Sequence, residues 1–255
     1  MTGYGARMEA DRGGTRAWPA PVRYDGELRD RVVVNLAGHA RREAALDGRR
    51  HAAVALVLVE SVAGGARTEA RRADGTPVHD PALLGEGLDR ADGGAAFLLC
   101  RRPPGLRRHG GQYALPGGRL DPGEDPVTAA LRETEEEVGL RLGEEDVLGL
   151  MDDYGTRSGF VMTPVVLWAG GAGDLRPDPA EVQAVFRVGL HHLLRQDSPR
   201  FTRIPQSERP VVELVLGEEV VHAPTAAVVL QLGWLGLQGR TDPVHHFEQP
   251  VFAWR

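Results

Sequence analysis

Residues 110–140 read GGQYALPGGRLDPGEDPVTAALRETEEEVGL and place Glu133, Glu135, Glu136 and Glu137 almost side by side. The stretch predicts a helix over about 126–138. Asp125 suits its N-cap, Pro126 its first residue, and Gly139 the left-handed residue that ends it. Val127, Leu131, Thr134 and Val138 recur at helical spacing and form the expected buried face. Glu133, Glu136 and Glu137 stand at i, i+3 and i+4, so they project together from another face, away from the core. Like charges at that spacing cost a few tenths of a kcal/mol per pair. A divalent cation between them reverses the sign. Hard oxygen donors suit Mg2+ or Mn2+, with substrate phosphates and water completing the octahedron. Glu135 is expected in solvent. Ahead of the helix, LPGGRLDPGE supplies adjacent glycines and a Pro-Gly turn, which let backbone approach a ligand closely.

These carboxylates need a scaffold. HAAVALVLVE and AAFLLCRR read as buried strands. VLGLMDDYGTR and GFVMTPVVLWAG are two more, parted by a polar turn at Arg157 and Ser158. VQAVFRV follows and leads into GLHHLLR; RPVVELVL and EEVVHA flank Gly217. Residues 27–46 predict a helix with Leu28, Val32, Leu36 and Ala40 on one face. PTAAVVLQLGWLGLQ predicts another, with its proline as the first helical residue. Strands and helices mix without strict alternation, so the expected fold is α/β: one α/β/α sandwich with a mixed sheet. It should occupy residues 27–255. Residues 61–94 read as an insertion or long loop, and residues 1–26 as a poorly ordered lead-in.

The acidic stretch has a stricter pattern. Gly118, five residues, Glu124, seven residues, Arg132-Glu133, then Glu136-Glu137, Val138 and Gly139 resemble the Nudix box. Thr134 stands where that family usually has an aliphatic residue. The resemblance implies a pyrophosphohydrolase acting on phosphorus-containing anhydrides, usually a nucleoside diphosphate linked to another group. It implies that Glu133, Glu136 and Glu137 ligate Mg2+ or Mn2+. One of them, or a loop carboxylate, would deprotonate the attacking water. Glu124 and Arg132 would tie loop to helix, and Gly118 would let the loop turn. Glu181 is the best loop carboxylate for a further ligand or base.

Just upstream, LLCRRPPGLRRHGGQYALPGG (98–118) resembles the added motif of the coenzyme A pyrophosphatase branch. Leu98, Leu99, Arg102, Arg107, Gly111, Pro116, Gly117 and Gly118 fall in register. Cys100, Pro103 and Leu115 depart from its Thr, Ser or Ala, and Phe. YGTRSGFVMTPVV and VHAPTAAVV are also similar to later parts of that branch. The resemblance implies substrate binding by Arg102, Arg107, Gly111, Gly117 and Gly118. It implies cleavage of coenzyme A or acyl-CoA to 3′,5′-ADP and (acyl-)4′-phosphopantetheine. Independently of any family, Arg101, Arg102, Arg107, Arg108 and His109 form a basic cluster entering the glycine loop, and guanidinium forks suit phosphate oxygens. For Arg101 and Arg108 the plainer reading is surface charge balance. Two alternatives stand beside the coenzyme A reading. The same reaction could act on ADP-ribose, a dinucleotide or an NDP-sugar. A binding module could sense a nucleotide without cleaving it, although the retained glutamates speak against that.

Composition narrows the rest. With 30 basic against 36 acidic residues the charge is −6, which argues against nucleic-acid binding through phosphates. The single cysteine, Cys100, sits in an apolar run and reads as a core residue. AAVALVLV is far too short to span a membrane, and the first residues lack a signal-peptide core. A cytoplasmic protein is the expectation, with a small nucleotide as partner and a homodimer compatible. The pairs His191-His192 and His245-His246 read as ordinary helix-start and loop residues, and Trp234 as core.

Overall fold

The computed structural model describes residues 19–61, 67–72, 74–78, 88, 93–106, 110–170, 174–216 and 219–254. Long valine-rich and alanine-rich runs become central strands because both faces of the main sheet are covered. Strands β1 (Arg50–Ser61), β2 (Arg67–Glu69) and β3 (Gly94–Arg101) are followed by short β4 (Tyr113–Ala114) and β5 (Gly117–Arg119). After helix α2 (Pro126–Val138) come β6 (Val147–Leu150), β7 (Tyr154–Gly155), β8 (Phe160–Trp168) and β9 (Ala184–Gly189). Their spine runs β2-β9-β3-β1-β8-β6; β4 joins β3, β5 joins β1 and β7 joins β8. β1 and β8 are parallel and β1 and β3 antiparallel, so the sheet is mixed.

Alternate residues of β1 serve different layers. Ala53, Ala55, Val57 and Val59 face α2, whereas Val54, Leu56 and Leu58 join the core on the opposite face. That second layer holds helix α1 (Gly26–Ala37) and helix α3 (Thr225–Gln231), which continues as a π-helical turn, Leu232–Leu237. The architecture is the expected α/β/α sandwich.

Several boundaries differ from expectation. α1 ends at Ala37, so Ala40 lies beyond it. Residues 39–44 instead form a strap held by two buried carboxylates. His39 Nε2 lies 2.6 Å from Asp152, and Arg41 Nη2 donates to Asp153 at 2.6 Å. Pro224 precedes the first residue of α3 instead of being it. Within 61–94, the described part includes β2, which pairs with β9 at the sheet edge. Of residues 1–26, 1–18 lie outside the described residues, while Val22 C=O accepts from Ala95 N–H and Tyr24 stacks on Trp168 at 4.0 Å. Strand β10 (Arg200–Ile204) is not among the expected strands. It pairs with β11 (Ser207–Leu216), which pairs with β12 (Glu219–His222), giving a separate antiparallel sheet. Cys100 and Trp234 are buried, as expected. Among the described residues no helix is long and apolar enough to cross a membrane.

An ion pair between a buried carboxylate and a half-exposed guanidinium joins the two sheets. Glu248 lies along β11, its N–H donating to Pro210 C=O. Its carboxylate accepts from Arg157, in the turn before β8, and from Ser207 Oγ and Gln249 N–H. Burial opposes ionisation, but these donors outweigh it and hold the carboxyl at about 2. A carboxyl depressed below its ordinary range stabilises the fold above that range and loses the contribution as pH falls through the depressed value. Glu248→Gln should therefore cost about 2 kcal/mol at pH 7. The gap to the parent protein should close between about pH 4.5 and pH 2, read from urea melts at pH 7 and pH 3.

Candidate active site

The acidic helix forms as its residues dictate. Asp125 Oδ1 accepts from the N–H groups of Val127 and Thr128. At the other end Gly139 adopts φ 71°, where a side chain is strained and would also meet Arg176. Thr134 and Val138 are buried, Val127 and Leu131 partly so. The hydroxyl of Thr134 donates to Ala130 C=O at 2.7 Å, so the polar departure inside the box is satisfied within the helix. Glu135 is exposed and pairs with Arg141.

Glu137 differs from the expectation that all three glutamates face away from the core. It is 3% exposed. Small residues explain this: Ala129 and Ala130 on α2 meet Ala53 and Ala55 on β1, so the helix sits close to the sheet. Glu137 Oε2 accepts from Gly117 N–H at 3.2 Å, and Oε1 lies 3.8 Å from Arg102 Nη1. Burial pushes its carboxyl up to about 8, with the Gly117 N–H and Arg102 pulling the other way. Glu133 is half-buried and also raised by burial, against the pull of Arg132. The charge of Glu181 bears on both.

Arg132 is the hub. It grips Glu124 with two bonds of 2.9 and 3.0 Å, reaches Glu133 and Glu136 through Nη1, and donates to Arg119 C=O. Glu124 is held below its ordinary range by this guanidinium. Glu136 is largely exposed, its side chain 59% accessible. In this arrangement Glu133 and Glu136 turn to Arg132 and Glu137 to Gly117. Among the described residues no three His, Cys, Asp or Glu side chains form a ready cage for a metal ion. That covers both histidine pairs, His191-His192 buried and His245-His246 exposed. The donor set nevertheless fits a hard divalent cation: Glu133 and Glu137 are carboxylates whose burial favours protonation, a cost that a bound cation would offset.

Gly118 makes this packing possible. A Cβ there would lie 2.1 Å from Glu133 Oε1. Gly117 and Gly118 also line a cavity of about 300 Å3 with Arg102, Tyr113, Thr156 and Gln249. Thr156 belongs to the YGTRSG stretch singled out in the sequence; nothing in the sequence marks Gln249. Gly111 N–H donates to Arg102 C=O. Arg101 donates to Tyr113 Oη at 3.2 Å. Arg107, Arg108 and His109 lie outside the described residues. Cys100 is buried and its thiol raised well above the ordinary range by burial, which leaves it a core residue.

Gly118→Ala should lower kcat by about 100-fold by displacing Glu133, with the thermal midpoint nearly kept, since a 1 Å misplacement costs that much. Glu136→Gln and Glu137→Gln should each lower the rate by orders of magnitude in folded protein. The amide introduced by Glu137→Gln keeps an acceptor oxygen for Gly117 N–H. Near-normal turnover in either variant would remove that residue from the site.

The NUDIX domain family matches residues 88–211. The uncharacterized Nudix hydrolase NudL of Photorhabdus laumondii is 33% identical over 139 residues, 53% of this chain and 74% of that protein. The uncharacterized Nudix hydrolase NudL of Yersinia enterocolitica is 38% identical over 100 residues, 39% of this chain and 51% of that protein. The chain thus spans about half the length of the Yersinia relative. A MutT protein from Methanosarcina mazei Go1 aligns with a TM-score of 0.35 and 19% identity, over 62% of this chain and 84% of that one. With a third of aligned residues shared across most of the Photorhabdus protein, and the box carried on α2, this chain belongs to the Nudix hydrolase family.

Proposed function

We propose that the chain is a pyrophosphohydrolase that cleaves the diphosphate of coenzyme A or an acyl-CoA, releasing 3′,5′-ADP and (acyl-)4′-phosphopantetheine. The observation that carries this reading is the placement of Arg102. It belongs to the stretch similar to the coenzyme A branch, lines the cavity beside Gly117 and Gly118, and stands 3.8 Å from Glu137. A phosphate-reading cation and the acidic helix therefore meet at one wall.

In this proposal Glu133, Glu136 and Glu137 hold Mg2+ or Mn2+, with Glu181 as a further candidate. The bound ion would neutralise diphosphate oxygens and lower the pKa of the attacking water. Arg132 keeps the glutamates in place through Glu124 and the loop, so its role is positioning. Gly117 and Gly118 let substrate oxygens approach backbone. Arg102 and Arg107 bind phosphate. A catalytic glutamate or Glu181 takes the water's proton.

One observation favours the broader reading. Leu115, which stands where the coenzyme A branch has Phe, lines the cavity. A smaller side chain there suits a different group beyond the diphosphate, as in ADP-ribose, a dinucleotide or an NDP-sugar. Cys100, another departure, is buried away from solvent and does not bear on the choice.

A panel of these compounds with Mg2+ and with Mn2+, products read by mass spectrometry, decides between them. Coenzyme A should give 3′,5′-ADP and be preferred over its 3′-dephospho form by about ten-fold to a hundred-fold, the equivalent of ~1.5–3 kcal/mol from an arginine–phosphate pair. Arg107→Ala should erase most of that preference, and Arg107→Lys should restore part, because an ammonium cannot form the fork. Equal rates on the two forms would overturn the coenzyme A assignment and leave the broader one.

A further inference from the structure

A second cavity, of about 200 Å3, adjoins the first, and Gln112, Tyr113, Pro224 and Thr225 line both. One of its walls is strand β12, an edge of the antiparallel sheet. The register shows which backbone groups that edge leaves open. Val215 N–H donates to Ser198 Oγ, on the β10 side of β11, and therefore points away from β12. In an antiparallel strand a residue's N–H and C=O point the same way, and directly opposed residues share the pattern. Val220 faces Val215, and His222 faces Glu213 two residues on. The N–H and C=O of Val220 and His222 thus point outward, and among the described residues no strand pairs with them.

The opposite wall carries a complementary donor. Arg101 lines this cavity, and its Nε is buried with no hydrogen-bond partner among the described residues, while Nη1 is engaged with Tyr113 Oη. Phe252, 55% exposed, and Val220 form an apolar lip. An open strand edge recognises an extended chain with amides, because such a chain returns the missing ladder bonds. Open amide and carbonyl groups, an unpaired guanidinium nitrogen and an apolar rim together describe a ligand with secondary amides joined by methylenes.

We propose that the cleft along β12 receives the amide-bearing arm of the substrate, which adds to the β10-β11-β12 sheet as a short fourth strand. This rests on the coenzyme A reading. Coenzyme A and its acyl forms carry a flexible arm with two secondary amides; ADP-ribose and NDP-sugars carry none. The diphosphate would then lie against Gly117 and Gly118, with the arm running past Tyr113 and Thr225 to the β12 edge, and an acyl group would meet Phe252.

The test compares kcat/KM for coenzyme A with that for a matched diphosphate, in which 3′-phosphoadenosine is kept and a methyl group replaces the arm. The parent protein should favour coenzyme A by about ten-fold or more, the yield of two or three added hydrogen bonds. Val220→Pro removes the outward N–H without removing a ladder bond, so the strand is retained and the ratio should fall toward one. Val220→Ala keeps the N–H and trims only the apolar lip, so the ratio should fall less than in Val220→Pro. Amide exchange of the parent protein with chelator present gives a readout free of turnover and of variant folding. Coenzyme A should slow exchange at Val220 and His222, and 3′,5′-ADP should not. Cleavage of coenzyme A with an unchanged ratio in Val220→Pro, or with no added protection at these amides, overturns the β12 assignment and leaves the hydrolase reading standing. Failure to cleave coenzyme A overturns the coenzyme A reading and the β12 assignment with it.

Discussion

A single guanidinium sets the geometry of the acidic helix. Arg132 binds both oxygens of Glu124 and the Arg119 carbonyl, so it fastens the loop of residues 119–124 onto α2. That loop continues directly from Gly117 and Gly118, so fastening it also fixes the glycines against Glu133 and Glu137. Bidentate pairs of this kind are the stronger class of hydrogen bond and fix direction as well as distance. The same side chain reaches Glu133 and Glu136. One arginine therefore supplies the positive charge that keeps neighbouring carboxylates from repelling the helix apart. A divalent ion drawn to Glu133 and Glu136 would compete with Nη1 for their oxygens. It would leave the grip on Glu124 through Nε and Nη2 intact. In the proposed enzyme the loop would thus keep its place while the cation on the glutamates changes.

Among the described residues Glu137 has no guanidinium at hydrogen-bonding distance. Its strongest contact is one backbone N–H, and Arg102 stands at 3.8 Å. A buried carboxylate short of compensation is costly to ionise, which is why its carboxyl is raised. The fold tolerates this because the surrounding packing is good elsewhere. Ala53, Ala55, Ala129 and Ala130 are all fully buried, and their small size is what brings Glu137 under the glycine loop. Larger side chains at those positions would lift the helix and relieve the burial, at the expense of the close contact. The unfavourable charge environment is therefore a product of favourable apolar packing, and strain of this kind commonly marks functional sites.

The sequence made the helix and its caps legible because those depend on neighbours in the chain: Asp125 and Gly139 act within a few residues of themselves. The buried strands were legible for a related reason, as apolar runs bounded by turns. What was hidden depends on distant partners. Nothing local says that Glu137 is buried, since its i, i+3, i+4 companions differ so much in exposure; Glu136 is open and Glu137 closed because the sheet lies under one of them. β10 escaped notice because Arg200–Ile204 is polar and exposed, and it is a strand only because β11 offers an edge. Gln249 reached the cavity wall through the Glu248–Arg157 pair, which joins residues far apart in the chain. The strap at 39–44 likewise looks helical in isolation and is drawn off by Asp152 and Asp153.

The division between shared and particular parts follows the same logic. The matched segment, 88–211, contains the box, the glycines and Arg102. Much of the rest of the cavity wall comes from outside it: Ala52 and Val54 from β1, Pro224 and Thr225 at the start of α3, and Gln249 and Ala253 from the end of the chain. These pieces are positioned by contacts of their own. Thr225 Oγ1 donates to Tyr113 C=O, joining α3 to β4, and Glu248 anchors the last residues to Arg157. If the box does the chemistry, discrimination between substrates would fall to the parts of the cavity wall outside the matched segment. In the proposed enzyme the diphosphate would be gripped beside Gly117 and Gly118, and the group beyond it would meet the start of α3 and the C-terminal segment, which line the same cavity.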